Sequence, residues 1–412
     1  MAEFSIRDKC KINTNIDADT FVGIQCEDNS FSVHFPLGFR LADNDKELRK
    51  DILLLMSTIA ATTGRRDSEI VDNSLEYGCD SFPFQAYLNV IYDFYARGYY
   101  KENEVQYHIS KKGKIDWNRT IKTQRPYVQD TDVFYLDFIT KKNTVSENEL
   151  ITLIHEYCVY DAFAKVGWLF TSILPKEPRI KFNKKMFRSV VKEKLLHTYN
   201  DKNKLLLRSM MAIIEYRGDK NAAHDYKYGT YRFEYVWENL IDRVFGIKGK
   251  ENYYPKTTWN IDGIEFDVVE NVDNSSLRPD SIMIYDGDIY VLDAKYYKYG
   301  QYRNPAFLPK STDINKQITY GEYIAEQDKF KKLHGDKYKV YNAFLMPFDS
   351  AKSGCSGYAQ RIGTASGNWK KNDKLYERVQ GILLDVKHMM KIGVRADMDE
   401  ISKLADMISQ YT

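Results

Sequence analysis

Several classes of function are closed to this chain by what its sequence lacks. The five cysteines, Cys10, Cys26, Cys79, Cys158 and Cys355, include no CxxC pair, and the seven histidines show neither HExxH nor any regular ligand spacing. That argues against a zinc site or a disulfide framework. Neither a GxxxxGK[ST] phosphate loop nor a GxGxxG turn is present, so the chain is not expected to hydrolyse a nucleoside triphosphate or hold a dinucleotide unaided, and a partner would have to supply any energy from NTP. No apolar run approaches the roughly 18 residues of a membrane span. The opening MAEFSIRDKCKINTN lacks the basic-then-apolar pattern of a signal peptide, so a soluble cytoplasmic protein with no membrane partner is expected. An excess of charge is also missing. Lysine plus arginine number 60 against 58 aspartates and glutamates, so affinity for a polyanion has to come from local patches.

What is present begins with length and tyrosine. At 412 residues the chain has room for two ordinary domains or three small ones, each able to bury a core. Its 32 tyrosines offer faces that stack on bases or on one another. FVGIQCEDNSFSVHFPLGF (21–39) alternates as a hairpin turning at Asp28-Asn29. KELRKDILLLMSTIAAT (46–62) reads as a helix stopped by Gly64, and a second helix, about 84–97, ends at Gly98. Residues 105–121 read as short strands around a Lys112-Gly113 turn, and Ser146 with Glu149 forms a capping box for a helix reaching about residue 173. Pro175 and Pro178 interrupt the pattern. Two basic helices follow, in KFNKKMFRSVVKEKLLHTY and KLLLRSMMAIIEY, whose lysines either solvate a helix face or contact DNA. From 230 onward TYRFEYVWENLIDRVFG is an amphipathic helix with Phe233, Val236, Trp237, Leu240, Ile241 and Val244 on its apolar side. Strands follow in TWNIDGIEFDVVE and DSIMIYDGDIYVLDAKYY, then a helix at 312–332 capped by Thr312, strands in KVYNAFLMPF and ERVQGILLDV, and a helical tail at 397–410. We place an N-terminal domain at 1–175, a helical connector at 176–228 and a catalytic domain at 229–412.

The chemistry concentrates in RPDSIMIYDGDIYVLDAKYY. Read as a hairpin turning at Asp286-Gly287-Asp288, it brings Asp280 at the start of one strand beside Asp293-Ala294-Lys295 at the end of the next. Asp293 and Lys295, two apart, share a face. Charges inside an apolar run such as YVLDAKYY cost several kcal/mol to bury without a purpose. Carboxylates suit a hard cation such as Mg²⁺, with Mn²⁺ expected to substitute, that keeps waters and takes phosphate oxygens. Such an ion activates a bound water for phosphodiester hydrolysis, and Lys295 can orient that water or offset phosphate charge. The third carboxylate is expected from the preceding helix. Glu234 and Glu238, four apart, share a face and either can reach the metal, and we assign Glu234 to the metal set with Asp280 and Asp293. In DINKQITYGEY, Lys316, Gln317 and Tyr320 lie on neighbouring helical turns, with Gln317 expected to bond a DNA phosphate or the catalytic lysine.

The spacing Pro279-Asp280 and Asp293-Ala294-Lys295, with a glutamate-bearing helix before it and a Q-xx-Y helix after it, resembles the PD-(D/E)xK nuclease superfamily in its RecB-like branch. More narrowly, FEYVWE, RPD, VLDAKYY and DINKQITY resemble the LlaJI-type restriction endonucleases, relatives of the McrC subunit of McrBC systems. The resemblance is strongest over 230–330; HFPLGF and GKIDWNRTI extend it more loosely into the N-terminal half. It implies an α+β, or α/β, chain in which a mixed N-terminal domain precedes a nuclease domain with a mixed central sheet flanked by helices. It further implies a Mg²⁺-dependent deoxyribonuclease subunit of a bacterial antiviral restriction system that cuts duplex DNA under a separate McrB-like AAA+ GTPase ring, which the N-terminal domain engages. The DxK acid is aspartate where many members have glutamate, an accepted variant. A stand-alone type II endonuclease and a purely regulatory activator of an NTPase ring are the alternatives. The first would call for a DNA-reading motif, and neither a zinc finger nor a clear helix-turn-helix is found. The second is opposed by an intact Asp280, Asp293 and Lys295.

Overall fold

The computed structural model describes residues 5–14, 20–27, 30–63, 82–129, 132–146, 150–171, 173–219, 226–256, 277–335, 337–355, 357–393 and 396–410. They form two units, one of Met1–Asp80 together with Asp225–Thr412, the other of Ser81–His224. This partition differs from the expected boundaries at 175 and 228. The reason is a strand at 226–230 that pairs with the N-terminal hairpin and ties the first 80 residues to the C-terminal half. Mixed sheets and helices in both units make the chain α+β, as expected.

In the first unit, β1 (Cys10–Ile12), β2 (Val22–Glu27), β3 (Ser30–Phe35) and β4 (Tyr226–Thr230) make a sheet of order β1-β3-β2-β4. The hairpin of β2 and β3 is the one its alternation predicts; the Asp28-Asn29 turn lies outside the described residues. After it come α1 (Asp45–Thr63) and, beyond β4, α2 (Phe233–Phe245). Gly64, the expected stop of α1, is likewise outside the described residues. All six apolar residues predicted to face inward on α2 are buried.

The second sheet of this unit carries β5 (Ser281–Tyr285), β6 (Asp288–Ala294), β7 (Val340–Phe348), β8 (Ala359–Ala365) and β9 (Val379–Asp385) in the order β5-β6-β7-β9-β8. β6, β7 and β9 run parallel, with β5 and β8 as antiparallel edges. β7 is buried along its whole length, as a central parallel strand covered on both faces must be. Asp286 at φ 48 and Gly287 at φ 81 make the two-residue β5–β6 turn, the left-handed pair of a type I′ hairpin. Between β6 and β7 lies α3 (Ser311–Glu326). It starts one residue before the expected Thr312 cap and stops at Gln327, whose extended backbone separates it from a second helix, Asp328–His334. The single helix expected over 312–332 is therefore two. α3 buries Ile318 and Ile324 against Ile282, Val291 and Phe344. The strands expected in TWNIDGIEFDVVE lie outside the described residues.

HFPLGF has a packing explanation here. Gly38 takes a left-handed φ of 79, and a Cβ built on it would lie 3.0–3.1 Å from the backbone of Phe348 at the end of β7, so only glycine lets this turn close on the sheet. Its neighbour Leu37 donates its N–H to the Tyr296 hydroxyl at 2.7 Å.

The second unit packs helices Phe84–Arg97, Leu150–Val166, Lys184–Leu196 and Asp201–Asp219 with a sheet of Glu102–Ile109, Ile139–Ser146 and Lys114–Ile115. The short strands expected through residue 121 give way to a helix at Trp117–Thr123, because the Asp116 carboxylate caps it at the Arg119 N–H. Glu149 of the expected capping box is outside the described residues. Inside the bundle Asp161 accepts from the Tyr87 hydroxyl at 2.9 Å and from Arg217 at 2.8 Å, while Lys165 donates to Tyr87 at 3.1 Å. These bonds join three helices and leave the buried carboxylate compensated. Among the described residues no helix is long and apolar enough to cross a membrane.

Candidate active site

The β5–β6 hairpin brings together the residues that its sequence singles out. Ser281 faces Leu292 across the pair, and one more step along this antiparallel register sets Asp280 opposite Asp293. Asp280 is fixed at both ends. Its Oδ2 accepts the Ala294 N–H at 2.8 Å, and its carbonyl accepts from Lys250 Nζ at 2.6 Å. Lys250 is in turn paired with Asp242 at 2.9 Å. Burial, then the charges of Asp293 and Glu238, push the Asp280 carboxyl up to about 8, against the lowering effect of the Ala294 N–H and Lys295.

Lys295 lies 2.7 Å from Asp293 Oδ2 and 3.5 Å from Asp313 Oδ1. Burial works against its charge, but the Asp293 carboxylate and its hydrogen bond, then Asp313, outweigh it and hold the ammonium above its ordinary range. Asp313 is the residue the sequence reading missed. It sits in the first turn of α3, where its Oδ2 accepts the Lys310 N–H at 3.0 Å and the Tyr297 hydroxyl at 3.3 Å. The available signal was an acid three residues after the N-cap position Lys310, the position of a capping box.

The helix residues divide differently from expectation. Glu234 pairs with Arg232 at 3.1 Å on the rim, whereas Glu238, one turn on, is the helix acid whose charge acts on Asp280. Gln317 reaches neither a solvent-facing phosphate position nor Lys295. It is 1% exposed and donates to the Val291 carbonyl at 2.7 Å and to Asn342 Oδ1 at 3.4 Å, so its amide bonds the middle of the sheet. Tyr320 donates to the Arg278 carbonyl at 3.0 Å and so anchors the segment leading into Asp280. Lys316 is exposed, with Nζ 5.7 Å from the Tyr320 ring centre. Trp237 Nε1 donates to the Leu345 carbonyl at 3.1 Å, pinning α2 to the sheet beside the site.

A cavity of about 470 Å³ opens here, with Glu234, Glu238, Ala294 and Lys295 among its lining residues and Asn13, Thr20 and Val22 contributed by the N-terminal segment. Among the described residues no three histidine, cysteine, aspartate or glutamate side chains are already clustered as a metal cage. The donor chemistry nevertheless fits a hard divalent ion. Asp280 and Asp293 offer carboxylate oxygens, and the burial and mutual repulsion that raise the Asp280 pKa are what such a cation offsets.

Residues 21–357 match the sequence profile of the LlaJI restriction endonucleases. The chain is 26% identical over 264 residues to the protein called Type II restriction enzyme BsuMI component YdjA of Bacillus subtilis (strain 168), an alignment spanning 61% of this chain and 55% of that one. Among solved structures it aligns, at 15% identity and a TM-score of 0.38, over 94% of its length with 83% of a chain in the half-complex of Thermococcus gammatolerans McrB AAA+ hexamers with bound McrC. That likeness is too distant to establish a shared fold.

Proposed function

Because the chain belongs to the LlaJI restriction endonuclease family, we propose that it is the DNA-cutting subunit of a restriction system, a PD-(D/E)xK nuclease that hydrolyses phosphodiester bonds at Asp280, Asp293, Lys295 and Glu238. The observation that carries this reading is the pairing of Asp280 with Asp293 beside the Lys295 ammonium, which itself lines a cavity of about 470 Å³. Asp280 and Asp293 would hold Mg²⁺ or Mn²⁺ directly, with Glu238 as the third carboxylate in place of Glu234. When bound, the ion supplies a water of lowered pKa and neutralises charge on the phosphoryl oxygens. The protein's own part is positional and electrostatic. Lys295, steered by Asp293 and Asp313, presents its charge where the scissile phosphate gains negative charge. Val22 and Phe233, together with the aromatic rings of Tyr296 and Tyr297, narrow the approach of water to that phosphate.

The two glutamates provide a test. Glu238→Gln is expected to reduce metal-dependent cleavage of duplex DNA by tenfold or more, whereas Glu234→Gln, which removes only a rim ion pair, leaves the rate within a factor of two. The reverse pattern would move the third carboxylate one turn towards the N-terminus. Equal and small effects would reduce both to solvated helix acids.

Control by a separate McrB-like AAA+ GTPase is part of the same proposal. It is supported by the missing phosphate loop and by the name of the Bacillus relative, itself a component of an enzyme. The partner-binding role expected of 1–175 falls most naturally on the portion within 81–224. There Ile109 at the end of the Glu102–Ile109 strand, and Val128 and Val133 on the paired strands Tyr127–Gln129 and Asp132–Phe134, are 65%, 70% and 56% exposed, apolar surface that a partner can cover. The purified chain alone with Mg²⁺ is expected to cut duplex DNA slowly, and the same chain with its NTPase and GTP to cut it at least tenfold faster. Rapid site-specific cutting by the chain alone would replace this arrangement with a self-sufficient type II enzyme.

A further inference from the structure

Charge is distributed unevenly between the two units. Residues 81–224 hold 24 lysines and arginines against 16 acids, although the whole chain balances 60 against 58. The catalytic unit is therefore net acidic and the other net basic. The imbalance is densest in residues 181–219, with ten lysines and arginines against four acids, in the antiparallel helices Lys184–Leu196 and Asp201–Asp219. Inward-facing Phe187, Val191, Leu206, Leu207 and Met210 are buried, so the helices are locked by their apolar sides and the cations are left on the outer side.

Three of those cations are structural. Lys184 and Arg188 pair with Glu215 at 3.2 and 3.0 Å and fasten one helix to the other, and Arg217 turns inward to Asp161. Lys185, Lys192, Lys202 and Arg208 are different. All four are exposed and make no ion pair among the described residues. Lys185 and Lys192 are seven residues apart, two helical turns on one face, or about 10 Å along the axis. That matches about three phosphates at 3.4 Å each along one strand of a duplex. Apolar tips interrupt the basic surface, with Tyr199 86% and Leu196 71% exposed, a composition suited to the sugar edge of a nucleic acid backbone. Of the acids, Glu215 is already neutralised, Glu193 is exposed beside Lys192, Asp201 lies in the first turn of the second helix, and Asp219 lies at its last residue.

We infer that the outer face of the 184–219 helical hairpin is a docking surface for the phosphate backbone of duplex DNA, separate from the cleavage site and independent of base sequence. The inference rests on the proposed nuclease activity for its choice of ligand, and on charge complementarity for its location. It gives a nearly neutral chain the local cationic patch that retention on DNA requires.

The experiment uses the full chain, a fluorescently labelled duplex of random sequence and a chelator, so that binding is read by anisotropy without cutting. For K185E/K192E and for K202E/R208E, affinity at low salt is expected to fall at least tenfold. The slope of log K against log salt should become shallower by about 0.9 for each phosphate no longer neutralised, about two for each pair. K46E/K403E, an equal charge change on two exposed lysines of the other unit, should leave the slope unchanged. Wild-type slopes in both hairpin variants, or an equal weakening in the control, would overturn the docking face. D293N separates the two proposals. DNA binding that depends on the hairpin, with no Mg²⁺-dependent cutting by wild type even in the presence of its NTPase and GTP, would sink the nuclease and leave the face standing. Cutting abolished by D293N with binding indifferent to the hairpin would do the opposite.

Discussion

Lys295→Ala is expected to reduce Mg²⁺-dependent cleavage on the order of a hundredfold or more, the usual loss when a charge poised at a developing anion is removed from a water-poor site. D280N and D293N should do at least as much, since each withdraws a carboxylate from the metal. The three variants should differ in stability. In Lys295→Ala the Asp293 carboxylate, 3% exposed as a residue, loses its 2.7 Å partner and is left opposite another acid, Asp280. A buried charge stripped of its partner is destabilising, so the metal-free variant should melt below wild type, and millimolar Mg²⁺ should recover part of the difference. D293N, which removes the charge itself, should melt closer to wild type. Cleavage by a folded Lys295→Ala protein within a few-fold of wild type would remove Lys295 from the site.

The second large effect belongs to the other unit and to pH. His155 is buried in the Leu150–Val166 helix. Its Nδ1 accepts the Tyr100 N–H at 2.8 Å, and its Nε2 has no hydrogen-bond partner. Burial, and secondarily the charge of Arg97, lower its pKa to about 3. The unfolded chain therefore takes up a proton near pH 6.5 that the folded chain refuses. The contribution is fully present above about pH 6.5 and is lost as pH falls towards about 3, by roughly 1.4 kcal/mol per pH unit and roughly 4 to 5 kcal/mol in all. Asp280 acts with the opposite sign. Its raised pKa gives a contribution present below the usual carboxylate range and lost as pH rises through about 8. Urea unfolding of wild type and His155→Gln, compared from pH 7 to pH 4, isolates the histidine, because the glutamine carbonyl can still accept the Tyr100 N–H but does not titrate. The wild type should lose stability relative to the variant with each step down. Parallel pH profiles would show that His155 protonates in place.

What the sequence made legible follows how local each signal is. The β5–β6 hairpin is specified within its own residues, by alternation on each side of an Asp-Gly turn that only a left-handed pair can close, so the meeting of Asp280 with Asp293 and Lys295 could be read directly. The apolar side of α2 was equally plain from its period. Which of Glu234 and Glu238 would complete the site was not, because both occupy the same helical face and both line the cavity. Gln317 looked available on a helix bearing polar residues at every turn, but burial turned its amide to the Val291 carbonyl. Asp313 passed unnoticed since its local role, capping α3, explains it without reference to Lys295. The unit boundaries were hidden for a related reason. The partner of β2 is a five-residue strand containing a glycine, YKYGT, which carries no alternation to announce it.

That late strand also sets a timetable. β2 pairs on one side with β3, eight residues away in the chain, but on the other with β4, which is encoded about 200 residues later. At ribosomal rates of 5 to 20 residues per second, roughly 10 to 40 seconds separate the two. For that interval the free edge of β2, bearing Val22 and Ile24, is an open template for any other nascent strand. The intervening residues 81–224 meanwhile emerge in full and can fold as a body of their own. Synthesis thus completes the basic unit before the catalytic one can close, and makes the N-terminal sheet the step at which a crowded polysome, or a truncated message, is most exposed to mispairing.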